Sequence, residues 1–475
     1  MSDDLAPAVS DDGAPVEAAP ARRWPWYATV AALTAGGLGL RIATVYGRPN
    51  RAPGGDAYTY HYSANLLATG HGFINPWIYY GAHHSVPSAA FPPLFILLLS
   101  MTSVVGLKSF FAHRIWSCVI GAAAIPLCAY TGREIAGRRV GLIAALLLTL
   151  YPNIWMNDEL AMSEALTPLV VALVLLAAYR FWRRPRALSA AGLGVSLAVA
   201  ALARDELTPL VLLVVPLALL ARQFGLKWRA ALIGIAAAGF VVLVGPWVGF
   251  NMARFSKPTF ISNGLGVTLA SANCPATYNG VNAGYWSYQC ALATPGLEPL
   301  QDQSVSDSIA RRHALKFVGA HLGELPRVEF DREGRAFGFF RPTQQIQLDS
   351  LIETRPRHWA EVGLGTYYLL VVLSIPGIVS LRRRRVPVYP LLAVGLDVVI
   401  SVAITFGQTR YRIAFEVALV LMAAVGIDAS VRAIASRLGR GPAPGSDPPA
   451  SSVAGPTEPE TEPDRERGLA APALP

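Results

Sequence analysis

The chain has 475 residues, of which 53% are hydrophobic and only 15% charged. Soluble domains carry roughly 25% charged residues, and several apolar runs approach the ~20 residues that cross a bilayer as helix, so a soluble globular protein is excluded and an all-α polytopic membrane protein is predicted. The net charge of +9 does not indicate a nucleic-acid partner, because Lys and Arg gather in short loops between apolar runs, where positive charge marks the cytoplasmic side.

Residues 1–24 are rich in Ala, Pro, Asp and Ser and predict a disordered cytoplasmic tail. Their acidity is the opposite of the basic start of a cleavable leader, so the first apolar run is expected to remain as a span. Arg22-Arg23 before Trp24 and Trp26 marks a membrane entry. A span of roughly 26–46 follows, and Arg41 within it is expected to snorkel near the outer end. An N-terminal transmembrane module is expected over 25–250, with its first outer loop at 47–112. That loop opens with Gly54-Gly55-Asp56-Ala57-Tyr58-Thr59-Tyr60-His61-Tyr62.

The apolar run 91–106 decides the parity of everything after it. As a span it would turn every later basic loop outward. It is too short for that and is expected to lie in the interface as an outer helix. Spans are then expected at roughly 113–131, 139–156, 163–180, 188–203, 207–221 and 230–250. Asn157-Asp158-Glu159 and Arg204-Asp205-Glu206 fall outside, and Arg133, Arg138, Arg139, Arg180, Arg183 and Arg184 fall inside.

Residues 251–358 turn polar and predict a large extracytoplasmic segment of mixed structure, including an amphipathic helix near 304–322. Cys274 and Cys290 lie in it, and that compartment permits a disulfide, whereas Cys118 and Cys128 sit in an apolar run and read as packing residues. C-terminal transmembrane helices are expected over 359–435, at roughly 361–380, 387–406 and 413–431. Arg382 to Arg385 form a cytoplasmic anchor, and residues 436–475 a second disordered tail. The total is about ten spans.

The candidate chemistry is acidic and basic at one membrane face. Asp56 can take a proton from an acceptor or bind a metal. Tyr58, Tyr60 and His61, with Glu164, are candidates to line a sugar cleft, the alternative being that the tyrosines anchor the helix at the interface. Asp158 and Glu159, with Glu164 beyond them, form a second acidic group. Ionisable groups beside spans are costly and need a partner or a function. Arg204, Arg410 and Arg412 lie at outer span ends, against the positive-inside trend. Guanidinium binds phosphate in a bidentate manner, while the simpler partners are Asp205 or Glu206 for Arg204 and Glu416 for Arg412. The histidines His61, His71, His83 and His84 fit no zinc spacing, but Asp56 with Asp158 could hold a divalent cation through oxygen. No nucleotide-binding glycine loop is present.

Four stretches together resemble the GT-C superfamily of membrane glycosyltransferases, nearest to family 39 with its protein O-mannosyltransferases and aminoarabinose transferases. They are Gly55-Asp56-Ala57-Tyr58; Phe91-Pro92-Pro93-Leu94; the block from Arg114 through Gly132-Arg133-Glu134 to Tyr151-Pro152 and Asp158-Glu159; and Arg410-Tyr411-Arg412. The resemblance implies a GT-C-type bundle at the plasma membrane with its site on the outer face. It also implies a polyprenyl-phosphate-linked sugar donor, an envelope acceptor (protein, lipid or glycan) and inverting transfer. Asp56 would be the catalytic acid, Asp158 the second acidic site, and Arg410 and Arg412 the holders of the lipid phosphate. Many family members have Asp-Glu at the first motif, where Ala57 follows Asp56 here. Two other classes fit less well. A transporter or flippase of a lipid-linked saccharide should show paired repeats and ionisable groups near mid-membrane, and a non-enzymatic envelope protein does not require so charged an outer face.

Overall fold

A computed structural model describes residues 24–298 and 300–438, so both expected tails lie almost entirely outside the described residues. The described residues up to Ser430 form one compact unit. The remaining ones, 431–438, are the end of the last helix and a turn. Everything regular among them is helical, and the only β pairing is an isolated antiparallel bridge between Ile74 and Pro87.

The first helix, α1 (Trp24–Tyr46), is followed by three short ones, α2 (Gly55–Ala68), α3 (Pro76–Ala82) and α4 (Pro93–Val104). Then come α5 (Phe110–Ala122) and α6 (Ala124–Ala136), which together make one span-length segment, and α7 (Arg138–Leu150) and α8 (Pro152–Asp158). The middle of the chain holds α9 (Thr167–Arg183), α10 (Ala187–Ala203), α11 (Val214–Leu220) and α12 (Leu226–Arg254). The polar segment contributes α13 (Leu265–Ala272), α14 (Pro275–Tyr278), α15 (Tyr288–Leu292), α16 (Gln303–Ala320), α17 (Leu325–Phe337) and α18 (Pro342–Ile352). The chain returns through α19 (Arg357–Arg383), α20 (Tyr389–Ile404) and α21 (Ile413–Arg437).

Six of these segments are long and apolar enough to cross a membrane, and a seventh is added if the bent pair α7–α8 counts as one span. The other three expected crossings correspond to shorter elements: α10, α20, and a 3-10 turn over Asp205–Leu213 leading into α11. The expected continuous helix at 207–221 is therefore corrected. Pro209 lies inside the turn and has no N–H to give to an α-helical ladder. The spans expose large apolar side chains, such as Val241 and Val242 on α12 and Leu369, Val372 and Ile375 on α19. A helix that is apolar on its outer faces as well as its inner ones belongs in lipid.

The interfacial helix expected over 91–106 is α4. Its 12 residues reach about 18 Å, well short of the ~30 Å hydrocarbon core. Leu97, Met101 and Val104 point outward, while Phe95, Ile96 and Leu99 pack inward beneath α2. The regular structure of the 251–358 segment is all helical among its described residues, with loops between the helices, so the mixed structure expected there includes no strand. Its predicted amphipathic helix is α16, and Cys274 and Cys290 are disulfide-bonded.

Two features of the bundle position the site. Pro152 cannot continue α7, so the chain bends 58° there and α8 turns back into the bundle. Asn157, Asp158 and Glu159 are thereby carried into the interior, where each has no measurable exposure. At the other end of the motif Gly55 has φ +54°, a left-handed conformation that glycine adopts freely. It starts α2 with Asp56 in its first turn.

Candidate functional site: an ion network at the ends of the spans

Asp56 is the outermost member of a network of acids and arginines. Its Oδ2 accepts from Arg410 Nη1 at 2.6 Å, and about a third of its side chain is exposed. Arg410 is held by the short 3-10 turn Thr409–Arg412 at the head of α21. From there it also lies 3.8 Å from Glu164 and 3.6 Å from Glu353. Glu164 is shared with Arg204, at 2.9 Å, and Arg204 is in turn 2.5 Å from Glu206. Arg355 Nε is 2.7 Å from Glu353 as well, so three guanidiniums serve four carboxylates. Glu164 Oε2 and Arg410 Nε still lack a hydrogen-bond partner although both are buried.

A second group has the opposite balance. Glu159 accepts from Arg114 Nη2 at 2.7 Å and from Arg48, with Arg51 at 3.7 Å. Arg114 also donates to the Glu159 and Arg48 carbonyls, at 2.9 and 2.6 Å. Three guanidiniums therefore surround one carboxylate, and burial, with Arg48 and Arg114 adding to it, pulls Arg51 down to about 10. Arg51 donates to the Glu353 carbonyl at 2.7 Å, so the Asp56 and Glu159 groups form one continuous network. Burial also lifts the Glu353 carboxyl to about 7, against the opposing pull of Arg355 and Arg410.

The other expected site residues are placed differently. Asp158 faces Arg41, whose Nε donates to it at 2.5 Å, with both side chains fully buried. Arg41 accordingly does not snorkel. It is the counter-ion of Asp158, because the bend at Pro152 brings that carboxylate to it. Arg412 is sealed inside, 2.7 Å from Glu416, bonded to the Ala336 carbonyl and stacked 3.8 Å from the Tyr367 ring. The simpler partners expected for Arg204 and Arg412, Glu206 and Glu416, are both in place.

Tyr60 is buried, stacked on Phe91 and edge-on to Phe95, and holds α2 onto α4. His61 is buried too, with its Nδ1 3.0 Å from His113 Nδ1, and burial drives its pKa down to about 4. Only Tyr58 faces outward, stacked 3.9 Å on the exposed Trp77. Among the described residues no group of three or more His, Cys, Asp or Glu could hold a metal ion. The pair expected to do so, Asp56 and Asp158, is committed to two separate arginines.

Sequence reasoning missed Arg48, Arg51, Glu353 and Asp397. Arg48 and Arg51 had a readable signal, as basic residues just outside a span and immediately before Gly54-Gly55-Asp56. So had Asp397, an acid alone in the apolar run of α20. Glu353 had none, since only the return of the polar segment brings it to Arg410.

Apolar spans that meet at one end over a buried ion network, with short helices between the first two, make up a fold shared with a solved oligosaccharyltransferase. The solved oligosaccharyltransferase AglB of Archaeoglobus fulgidus, in complex with an inhibitory peptide and a dolichol-phosphate, matches with 14% identity and a TM-score of 0.52, covering 88% of this chain and 52% of that one. Its apo form matches with 15% identity, a TM-score of 0.51 and the same coverage. The chain thus spans about half the length of that protein. ArnT from Cupriavidus metallidurans, bound to undecaprenyl phosphate, matches with 15% identity and a TM-score of 0.40, over 88% of this chain and 81% of that one. At these identities the likeness to AglB is one of fold. No family model matches the sequence, and no curated protein does either.

Proposed function

We propose that the protein is an inverting glycosyltransferase of the family 39 type, moving a hexose or pentose from a polyprenyl-phosphate donor to an envelope acceptor on the extracytoplasmic face of the plasma membrane. The observation that carries this reading is the Asp56–Arg410 pair. A base and a phosphate-binding cation are held against each other at a partly open point of a largely buried network.

The donor phosphate takes Arg410 from Asp56, with Arg48 and Arg51 supplying the surplus positive charge next to it. Asp56 is then free to accept the proton of the acceptor hydroxyl or amine as it attacks the anomeric carbon. The bond from that carbon to the phosphate oxygen breaks on the opposite face, and its electron pair stays on the phosphate. Arginines stabilise that growing charge, the task a divalent ion would otherwise perform. A cation between Asp56 and Asp158 would require both ion pairs to open, so transfer is proposed to need none. The outer location is supported by the arginines at the far ends of the spans, Arg133, Arg138, Arg139 and Arg382 to Arg385, as expected for a cytoplasmic side.

The test is transfer of labelled sugar from a polyprenyl-phosphate donor into sealed, right-side-out membranes. Wild type is expected to transfer equally with and without EDTA. Asp56→Asn is expected to lose at least about 100-fold, the usual contribution of a general base. Arg410→Lys, which cannot reproduce the bidentate fork, is expected to raise the donor KM. Equal rates for wild type and Asp56→Asn would remove Asp56 from the mechanism.

A further inference from the structure

Asp397 is a buried acid without a partner. It lies in the middle of α20, and among the described residues neither of its carboxylate oxygens has a hydrogen-bond partner. It lines a small cavity of about 10 Å³, the size of a single water, whose other walls include Arg204, Glu206, Ser401, Arg410 and Tyr411. The two arginines of the proposed site thus share this cavity with Asp397, and Glu206, paired with Arg204 at 2.5 Å, lines it too. Their ion-pair partners are Asp56, Glu164, Glu206 and Glu353, and not Asp397. An ionised carboxylate in such a place would have to be paired, so the form that fits the pocket is the neutral acid.

The charged groups facing it from neighbouring elements are Arg204 and Glu206 at the start of the 205–213 turn, and Arg410 with Tyr411 on the 409–412 turn. From α17, Arg332 reaches the Ala403 carbonyl near the end of α20 with Glu329 beside it, outside the pocket.

We propose that Asp397 is a positioning residue for the donor phosphate, which it serves by leaving Arg204 and Arg410 free while it is neutral and by competing for them when it is charged. Three guanidiniums already serve four carboxylates, and a fifth negative charge beside Arg204 and Arg410 would compete for them with an arriving phosphate. Donor affinity should then fall as Asp397 loses its proton. Asparagine copies the neutral form, and glutamate pushes a carboxylate one methylene further into the cavity.

The inference rests on the reading of Arg410 as a phosphate ligand, and the experiment separates the two. Binding of a short-chain polyprenyl-phosphate hexose, a phosphodiester whose charge is constant over the range, is measured on the full chain in nanodiscs from about pH 6 to about pH 9, with donor KM and kcat alongside. If wild type binds at no pH, the proposed donor is wrong. If wild type weakens by about tenfold toward high pH, the worth of one charge-assisted hydrogen bond, and Asp397→Asn stays flat with kcat within about twofold, the inference stands. Asp397→Glu should bind weakly at every pH. A Glu353→Gln control removes an acid beside Arg410 that also titrates in this range. An Asp397→Asn protein with the wild-type pH profile, or an Asp397→Glu protein that binds as wild type does, overturns the proposal.

Discussion

Arg41 and Asp158 show how far a residue's meaning depends on its partner. Each is unfavourable inside a membrane, and the pair is tolerable only because the guanidinium meets the carboxylate at 2.5 Å with no exposure of either. Gly121 lies so close that a Cβ there would meet Asp158 at 2.2 Å, so the acid has no room to turn away. Arg41→Met should therefore destabilise the protein by about 3–5 kcal/mol, the cost of an unpaired buried charge. Arg41→Met with Asp158→Leu should recover most of that, as read from thermal unfolding in detergent. Glu353 gives a pH dependence of definite sign. Its folded value of about 7 stands above its ordinary 4.5 because burial outweighs Arg355 and Arg410. Its contribution to stability is thus complete below about 4.5 and is lost as pH rises through about 7. Between about pH 5 and about pH 8 the melting temperature of wild type should fall further than that of Glu353→Gln.

At the scale of elements, close helix crossings hold the network in register. A Cβ on Gly377 of α19 would meet the Met422 carbonyl at 2.0 Å, and one on Gly426 of α21 would meet the Leu373 carbonyl at 2.0 Å. The two helices pack backbone to backbone, as small residues allow in membranes. The head of α21 carries the turn with Arg410, while Glu353 lies just before α19. Gly426→Leu should force the helices apart. Overpacking of this kind typically costs about 1–3 kcal/mol, and donor binding should weaken although the substitution touches no site residue. A variant with lowered stability but unchanged donor KM would show that the crossing does not set the position of Arg410. The bend at Pro152 works in the same way, since a straight α7 would leave Asp158 and Glu159 at its end instead of returning them to Arg41 and Arg114.

Across the molecule, the polar segment closes the network through Glu353, and its fold is tied by the Cys274–Cys290 disulfide, 16 residues apart. A loop of that length is worth about 3 kcal/mol by closure entropy. Replacing both cysteines by serine should make the segment markedly more open to protease, while a free-thiol assay on the unfolded wild type detects only Cys118 and Cys128. The sequence by itself determined the helical membrane architecture and the short apolar α4, and it marked Asp56, Glu164, Arg204 and Arg410 as charges in need of partners, because apolar run length and misplaced charge are local signals. Only the tertiary structure decided that Asp158 and Arg412 are sealed in private ion pairs, that Tyr60 and His61 face the core, and that Arg51 and Glu353 join two acidic groups into one network. Those assignments depend on which charges meet across hundreds of residues, and a pairing energy belongs to a distance in space that no run of letters contains.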